Sequence, residues 1–249
     1  MKTKIFCDSA DYETIKYFIK KPLVAGFTTN PSLMRISGAK NYKNYSLKIL
    51  KICKKPISFE VFADTQNEMI DQAYKINAWA KNVYVKIPVV NSKGVFTGTV
   101  IKKLSSMGIK LNITAVYSYS QVEKIIKCLN KKSKSIISIF AGRMADKGKD
   151  PVPLIKKSIK SVKNFKNIDI LWASTREAYN YLQAKQLKCN IITMPPKIIE
   201  QIEMFGKSAN LMTIDTVKGF LKDSKKSNWL CEPRPRTFKI LYLSYKSKF

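Results

Sequence analysis

Residues 83–89 read VYVKIPV, and the alternation inside them decides the fold. Successive strand residues point to opposite faces. Val83, Val85, Ile87 and Val89 therefore share one face, and Tyr84, Lys86 and Pro88 share the other. An all-aliphatic face is suited to packing against helices. The opposite face, with a lysine at its centre, must look into a separate interior. A parallel strand between an outer helical layer and an inner barrel has this pair of faces.

Seven further apolar runs flank this one. They are KIFCDS, VAGFTTN, PISFEVF, KLNITAV, SIISIFA, DILWAS and NIITMP, beginning at residues 4, 24, 56, 110, 135, 169 and 190. Helical patterns lie between them, such as TQNEMIDQAYKINAWA, where Met69, Ile70, Ala73, Ile76, Asn77 and Ala80 recur near helical spacing. Strands alternating with helices, without hairpin signals, predict parallel βαβ units. Eight units in 249 residues predict an α/β fold, a single (β/α)8 TIM barrel, although pattern alone also permits an open doubly wound sheet. The segment TIDTVKGFLKDSKK, 213–226, adds a C-terminal helix. The predicted organisation is a barrel with its added helix over 1–227, then a basic aromatic tail over 228–249 that contains two X-Pro-Arg steps.

Composition removes several function classes. Hydrophobic residues make up 45% of the chain, which is a globular composition, and no run approaches the ~18 apolar residues of a membrane span. The opening MKTKIFCDSADYE meets polar residues too early for a signal-peptide core, so a cytoplasmic location is expected. Five scattered cysteines (Cys7, Cys53, Cys128, Cys189, Cys231) are expected to be reduced. The chain has no histidine, which removes Ser-His and Cys-His pairs and the usual zinc sites; no metal and no cofactor are expected. The net charge of +29 raises a nucleic-acid reading. Only five of the 46 basic residues are arginine, however, and the lysines are spread over nearly every predicted helix. Nucleic-acid recognition favours arginine and focused aromatic platforms, so lysine-coated solvent faces are the better account.

The same sorting of faces turns polar groups inward elsewhere. Ser58 and Glu60 oppose Ile57, Phe59 and Val61; Asn112 and Thr114 oppose Leu111, Ile113 and Ala115; Ser138 and Phe140 oppose Ile137 and Ile139. Phe6 and Asp8 oppose Ile5 and Cys7, Trp172 and Ser174 oppose Leu171 and Ala173, and Thr28 and Asn30 share a face. A polar network could serve only to fix strand register. A lysine, two carboxylates and two amides exceed that need, because burying them is costly unless they bond one another or a ligand.

An inward lysine loses hydration, which favours the neutral amine over the ammonium. Such an amine can attack a carbonyl and form a Schiff base, an electron sink for carbon–carbon cleavage. Asp8 and Glu60 can divide the proton transfers that this chemistry needs. Arg143 in FAGRMAD and Ser174 and Arg176 in WASTRE stand just past predicted strands, where barrels bind phosphate.

The stretch FCDSADYETIKYF…VAGFTTNPSLM resembles the opening of transaldolases, and ISFEVFADTQNEMIDQA, NVYVKIPV, LNITAVYS, SIFAGRMADKGKD, ILWASTREAY and IITMPPKII follow in family order over roughly residues 4 to 226. The resemblance implies a metal-free aldol mechanism with Lys86 as the Schiff-base lysine and Asp8 as the acid/base at the hydroxyl involved in cleavage. It implies that Glu60 and Thr114 position a catalytic water. Asn30, Asn112 and Thr28 would bind the three-carbon fragment, with Ser138 and Phe140 lining the pocket, and Arg143, Ser174 and Arg176 would hold the phosphate.

The family also contains fructose 6-phosphate aldolases, in which glutamine and tyrosine tend to stand at the places of Glu60 and Phe140. The resemblance thus implies dihydroxyacetone transfer in the pentose phosphate pathway, among sedoheptulose 7-phosphate, fructose 6-phosphate, erythrose 4-phosphate and glyceraldehyde 3-phosphate, by a homo-oligomer. The alternatives are a fructose 6-phosphate aldolase and, from another class, a basic nucleic-acid- or polyanion-binding protein on an inactive barrel. Phe27, Pro151 and the 228–249 tail depart from the family pattern; the outward face of Phe27 makes it a packing change.

Overall fold

A computed structural model describes residues 2–227. The tail over 228–249 and Cys231 lie outside the described residues. The elements run β1 (Lys4–Asp8), α1 (Tyr12–Ile19), β2 (Val24–Thr28), α2 (Pro31–Ile36), α3 (Tyr42–Ile52), β3 (Ile57–Glu60), α4 (Gln66–Asn77), β4 (Val83–Pro88), α5 (Gly98–Ser106) and β5 (Leu111–Val116). They continue α6 (Tyr119–Cys128), β6 (Ser135–Ile139), α7 (Ala141–Ala145), α8 (Val152–Ser161), β7 (Ile168–Trp172), α9 (Tyr179–Gln186), β8 (Ile191–Met194), α10 (Pro196–Ile202) and α11 (Ala209–Lys226). The eight strands pair in sequence order, and β8 closes on β1 in parallel. The fold is the expected (β/α)8 barrel, followed by a C-terminal helix.

Local chemistry sets where the helices begin. Asp11, Asn30, Asn41, Thr65 and Ser118 each accept a backbone N–H in the first turn of the helix they precede, satisfying donors that have no partner within the helix. Ser118 and Gln121 complete a reciprocal capping box. In α4 the periodic positions Met69, Ile70, Ala73 and Ile76 are the buried ones. Two compact units are present, one ending at Glu203 and a second beginning at Met204. Within the second, α11 starts four residues before the predicted 213, where the Ser208 side chain accepts the Leu211 N–H.

The core has two layers. Ile5, Cys7, Phe27, Ile57, Phe59, Val85, Ile87, Leu111, Ile113, Ile137 and Ile139 belong to the large layer between strands and helices. Fully buried side chains of this size contribute roughly 1.5–3 kcal/mol each, so this layer is the main source of stability. A smaller cluster of Phe6, Ile136, Leu171, Ala173 and Ile191, with Tyr84 and Phe140 against it, plugs the barrel interior. Gly26 makes room for it, because a Cβ there would strike the Phe6 ring and the Pro56 carbonyl.

Two strands depart from simple alternation. In β7 the expected faces are exchanged: Leu171 and Ala173 join the inner plug and Trp172 the outer layer. Leu171 pairs with inward Ser138 across β6–β7, which fixes its side. Ser174 reaches the interior for another reason, since it lies past the strand in the left-handed region at φ 63°. In β5 the register with β6 slips between Ile113 and Val116, and Ala115 at φ 61° occupies the break. A bulge of this kind inserts one residue. Val116, not Ala115, is the next buried member of the outer layer.

The lysines at 16, 20, 102, 103, 156, 157 and 160 are exposed, as solvent-coating residues should be, whereas Lys21 is half-buried and paired with Glu203 at 3.1 Å. Among the described residues no helix is long and apolar enough to cross a membrane. The four described cysteines are free thiols. Burial pushes Cys53 up to about 11 and Cys189 up to about 12, so both stay protonated at neutral pH.

Candidate active site

Lys86 lies at the centre of the barrel, and its neighbours are polar. Its side chain is 7% exposed, and Nζ lies 3.1 Å from a Glu60 carboxylate oxygen, itself 15% exposed. Nζ also donates to the Thr29 carbonyl at 3.0 Å. Glu60 and Lys86 are register partners on adjacent strands, so the pairing follows from the ladder. The hydration that this inward lysine loses is thus replaced by one carboxylate and one carbonyl. A buried charge requires such partners.

Asp8, at the end of β1, accepts the Thr28 hydroxyl at 2.7 Å. Thr28 Oγ1 in turn meets Thr193 Oγ1 of β8. Burial holds the Asp8 carboxyl above the usual carboxylate range, while the Lys86 charge and the Thr28 hydrogen bond act to lower it. Desolvation wins, and the group is suited to exchange a proton nearer neutral pH. On the far wall Asn112 donates to Ser58 Oγ at 3.0 Å and accepts from Ser138 Oγ at 2.7 Å. The buried Thr114 hydroxyl has no partner among the described residues.

A cavity of about 180 Å³ opens above these groups. Asp8, Thr28, Asn30, Lys86, Thr114, Ser138 and Phe140 line it below, and Arg143, Ser174 and Arg176 line its rim. Ten of the twelve anticipated residues therefore face one space. Glu60 and Asn112 stand behind the wall and reach it through Lys86 and Ser138. A larger groove of about 570 Å³ lies outside the barrel beside α3 and α4, lined by Tyr42, Phe62 and Trp79 among others. It is mostly apolar and holds no acid–base pair, so the smaller polar cavity is the candidate for chemistry.

The rim carries two arginines and is shaped by backbone. Arg143 sits over the Phe140 ring at 5.3 Å. Arg176 is held by Asp146, with Nε and Nη2 donating at 2.6 to 3.0 Å. The guanidinium holds the Asp146 carboxyl below its ordinary range and is itself pushed up by it. Gly142, the second residue of α7, is required because a Cβ would collide with the Ser174 carbonyl oxygen. That carbonyl belongs to a residue in the left-handed region, a conformation costing on the order of 1–3 kcal/mol outside glycine. Gly142→Ala is expected to lower stability by about 2–3 kcal/mol, read as a fall in the urea midpoint with unchanged slope. An unchanged midpoint would show that the two backbones are not in contact.

Sequence reasoning missed Thr193, Thr29, Asp146 and Tyr42. Alternation could have found Thr193, since it stands between outward Ile192 and Met194 in IITM. Thr29 acts through its main-chain oxygen, and Asp146 and Tyr42 reach their partners across 30 and 18 residues, where no local pattern points to them.

The profile of the family described as Transaldolase/Fructose-6-phosphate aldolase matches residues 5–232. A protein of Herpetosiphon aurantiacus named "Probable transaldolase" is 34% identical over 200 residues, covering 80% of this chain and 86% of its own. One of Nitrosopumilus maritimus with the same name is 32% identical over 225 residues, covering 90% and 95%. Among solved structures, an inosine 5'-monophosphate dehydrogenase from Legionella pneumophila superposes with a TM-score of 0.55 at 10% identity over 78% of this chain and 58% of that one, a likeness of fold alone. With its fold, its ordered motifs and these relatives in agreement, the chain belongs to the transaldolase/fructose-6-phosphate aldolase family.

Proposed function

We propose that the protein is a transaldolase, which moves a dihydroxyacetone unit from a ketose phosphate to an aldose phosphate through a Schiff base on Lys86. The observation that carries this reading is the buried Lys86–Glu60 pair at 3.1 Å, beside Asp8 and beneath a rim of two arginines. Proton transfer from Lys86 to Glu60 supplies the neutral amine, which adds to the C2 carbonyl of the ketose. Loss of water from that adduct, with protons relayed through a water held by Glu60 and Thr114, gives the iminium. Asp8 then takes the proton of the C4 hydroxyl. The C3–C4 bond breaks, its electron pair enters the iminium as an enamine, and the aldose phosphate leaves. Addition of the enamine to a second aldose phosphate reverses these steps, and hydrolysis releases the new ketose and the amine.

Asn30, Thr28 and Ser138 are suited to hold the three-carbon unit. Asn112 supports them from behind the wall, accepting from Ser138 at 2.7 Å and donating to Ser58 at 3.0 Å. Arg143, Arg176 and Ser174 are suited to the phosphate, the two arginines as charge-assisted donors at the mouth. Glu60 and Phe140, rather than glutamine and tyrosine, favour transfer over simple cleavage within this family.

The reading is tested by assaying fructose 6-phosphate with and without erythrose 4-phosphate. Turnover only when the acceptor is present supports it, and acceptor-independent release of dihydroxyacetone selects fructose 6-phosphate aldolase instead. Arg176→Ala is expected to raise KM for fructose 6-phosphate about 10- to 100-fold, as loss of a charged hydrogen bond does. Reactivity with unphosphorylated fructose should change far less. Equal losses on both substrates would remove Arg176 from phosphate binding.

A further inference from the structure

The ladder between β2 and β3 stops one step before Glu60. Phe27 pairs with Ile57 and Thr28 with Ser58, and the Thr29 N–H donates to the Ser58 carbonyl at 3.1 Å. Continuing this parallel register would send the Glu60 N–H to the Thr29 carbonyl and bring the N–H of residue 31 to the Glu60 carbonyl. Residue 31 is a proline and has no N–H to give. The Thr29 carbonyl accepts from Lys86 Nζ instead. Two main-chain groups of Glu60 are thereby left without a strand partner, and one atom serves both. Tyr42 Oη, reaching in from α3, accepts from the Glu60 N–H at 3.0 Å and donates to the Glu60 carbonyl at 2.9 Å.

Packing keeps that hydroxyl in place. The Tyr42 ring meets Phe62 edge-on at 5.3 Å and Trp79 at 5.9 Å, and Trp79 packs against buried Phe59 of β3 at 5.7 Å. Burial also pushes the Tyr42 hydroxyl up from its ordinary range, so it keeps the proton it donates.

We infer that Tyr42 is a positioning residue for the reactive lysine: its hydroxyl replaces the missing strand edge at Glu60 and thereby frees the Thr29 carbonyl to hold Lys86. This rests on Lys86 being the reactive amine. Without the hydroxyl, the Glu60 N–H is either unpaired or takes the Thr29 carbonyl from Lys86, and both outcomes disturb the pair that generates the neutral amine. Because Tyr42 does not line the cavity, its effect should fall on turnover and not on substrate affinity.

The test compares wild type, Tyr42→Phe and Phe62→Leu in the full-length protein. It reads kcat and KM for fructose 6-phosphate with erythrose 4-phosphate, borohydride trapping on Lys86, and hydrogen exchange of the Glu60 amide. Tyr42→Phe keeps the ring and loses only the hydroxyl. It should lower kcat about tenfold with KM within twofold, and speed exchange of the Glu60 amide about tenfold or more. Phe62→Leu, which loosens the same ring but keeps the hydroxyl, should stay within twofold of wild type in kcat. A Tyr42→Phe enzyme within twofold of an active wild type overturns the inference, and so does an equal loss in Phe62→Leu, which would assign the effect to loosening of α3. A wild type that traps no adduct on Lys86 fails at the earlier step, removing the transaldolase reading and the role of Tyr42 with it.

Discussion

Lys86→Met is expected to abolish borohydride trapping of a three-carbon adduct and to reduce turnover at least ~10⁴-fold, the scale on which removing a covalent nucleophile acts. Methionine keeps the volume but offers no amine. The same change should destabilise the fold, because it leaves the Glu60 carboxylate, 15% exposed, without its partner at 3.1 Å. Breaking one side of such a pair costs about 3 kcal/mol or somewhat more. Lys86→Met with Glu60→Gln should recover most of that stability while remaining inactive, since the neutral amide no longer needs a cation. Thermal unfolding read beside turnover separates the two effects. Activity retained in either variant would mean that another lysine carries the chemistry.

Asp8→Asn should have opposite effects on activity and stability. Turnover should fall about 10²- to 10⁴-fold, the usual loss of a general acid–base group. Stability should rise at neutral and alkaline pH. The folded state holds the Asp8 proton more tightly than the unfolded chain does, because burial raises the carboxyl above its ordinary value. Its contribution is therefore fully favourable below the ordinary carboxylate range and is lost as pH rises through the raised folded value. Asparagine carries no such penalty. The variant should match wild type below the ordinary carboxylate range and exceed it by a growing margin as pH rises toward the raised folded value, read as a higher melting temperature. A constant difference across that range would show that Asp8 is not desolvated.

Much of this was legible in the amino-acid order, for a physical reason. A β-strand between helices and a filled barrel has one aliphatic face and one distinctive face, so VYVKIPV, SFEVF and KLNITAV declare both strand and inward residue. Alternation breaks down where the backbone leaves the strand conformation. Ala115 and Ser174 both sit at positive φ, one within a bulge and the other past the end of β7. The inward appearance of Ser174 carries Trp172 to the wrong face, when Leu171 is the residue that joins the plug. Residues acting through the main chain or from a distant element leave no local trace. Tyr42 is an ordinary aromatic of α3 until the ladder is followed to Pro31 and found one N–H short.

The site also accounts for how a histidine-free chain can manage proton transfer. Desolvation moves Asp8, Lys86 and Glu60 share a buried contact, and Thr114 presents a hydroxyl with no partner among the described residues. Each is a consequence of polar groups on the inner face of strands whose outer face is fully apolar.

The central claim is tested most directly by incubating wild type and Lys86→Met with fructose 6-phosphate, reducing with borohydride, and weighing the tryptic peptides by mass spectrometry. A reduced three-carbon adduct on the peptide containing Lys86 is the result expected for wild type, with no adduct in the variant. An adduct on any other lysine, or none in a folded wild type, would contradict the assignment of Lys86 as the Schiff-base residue.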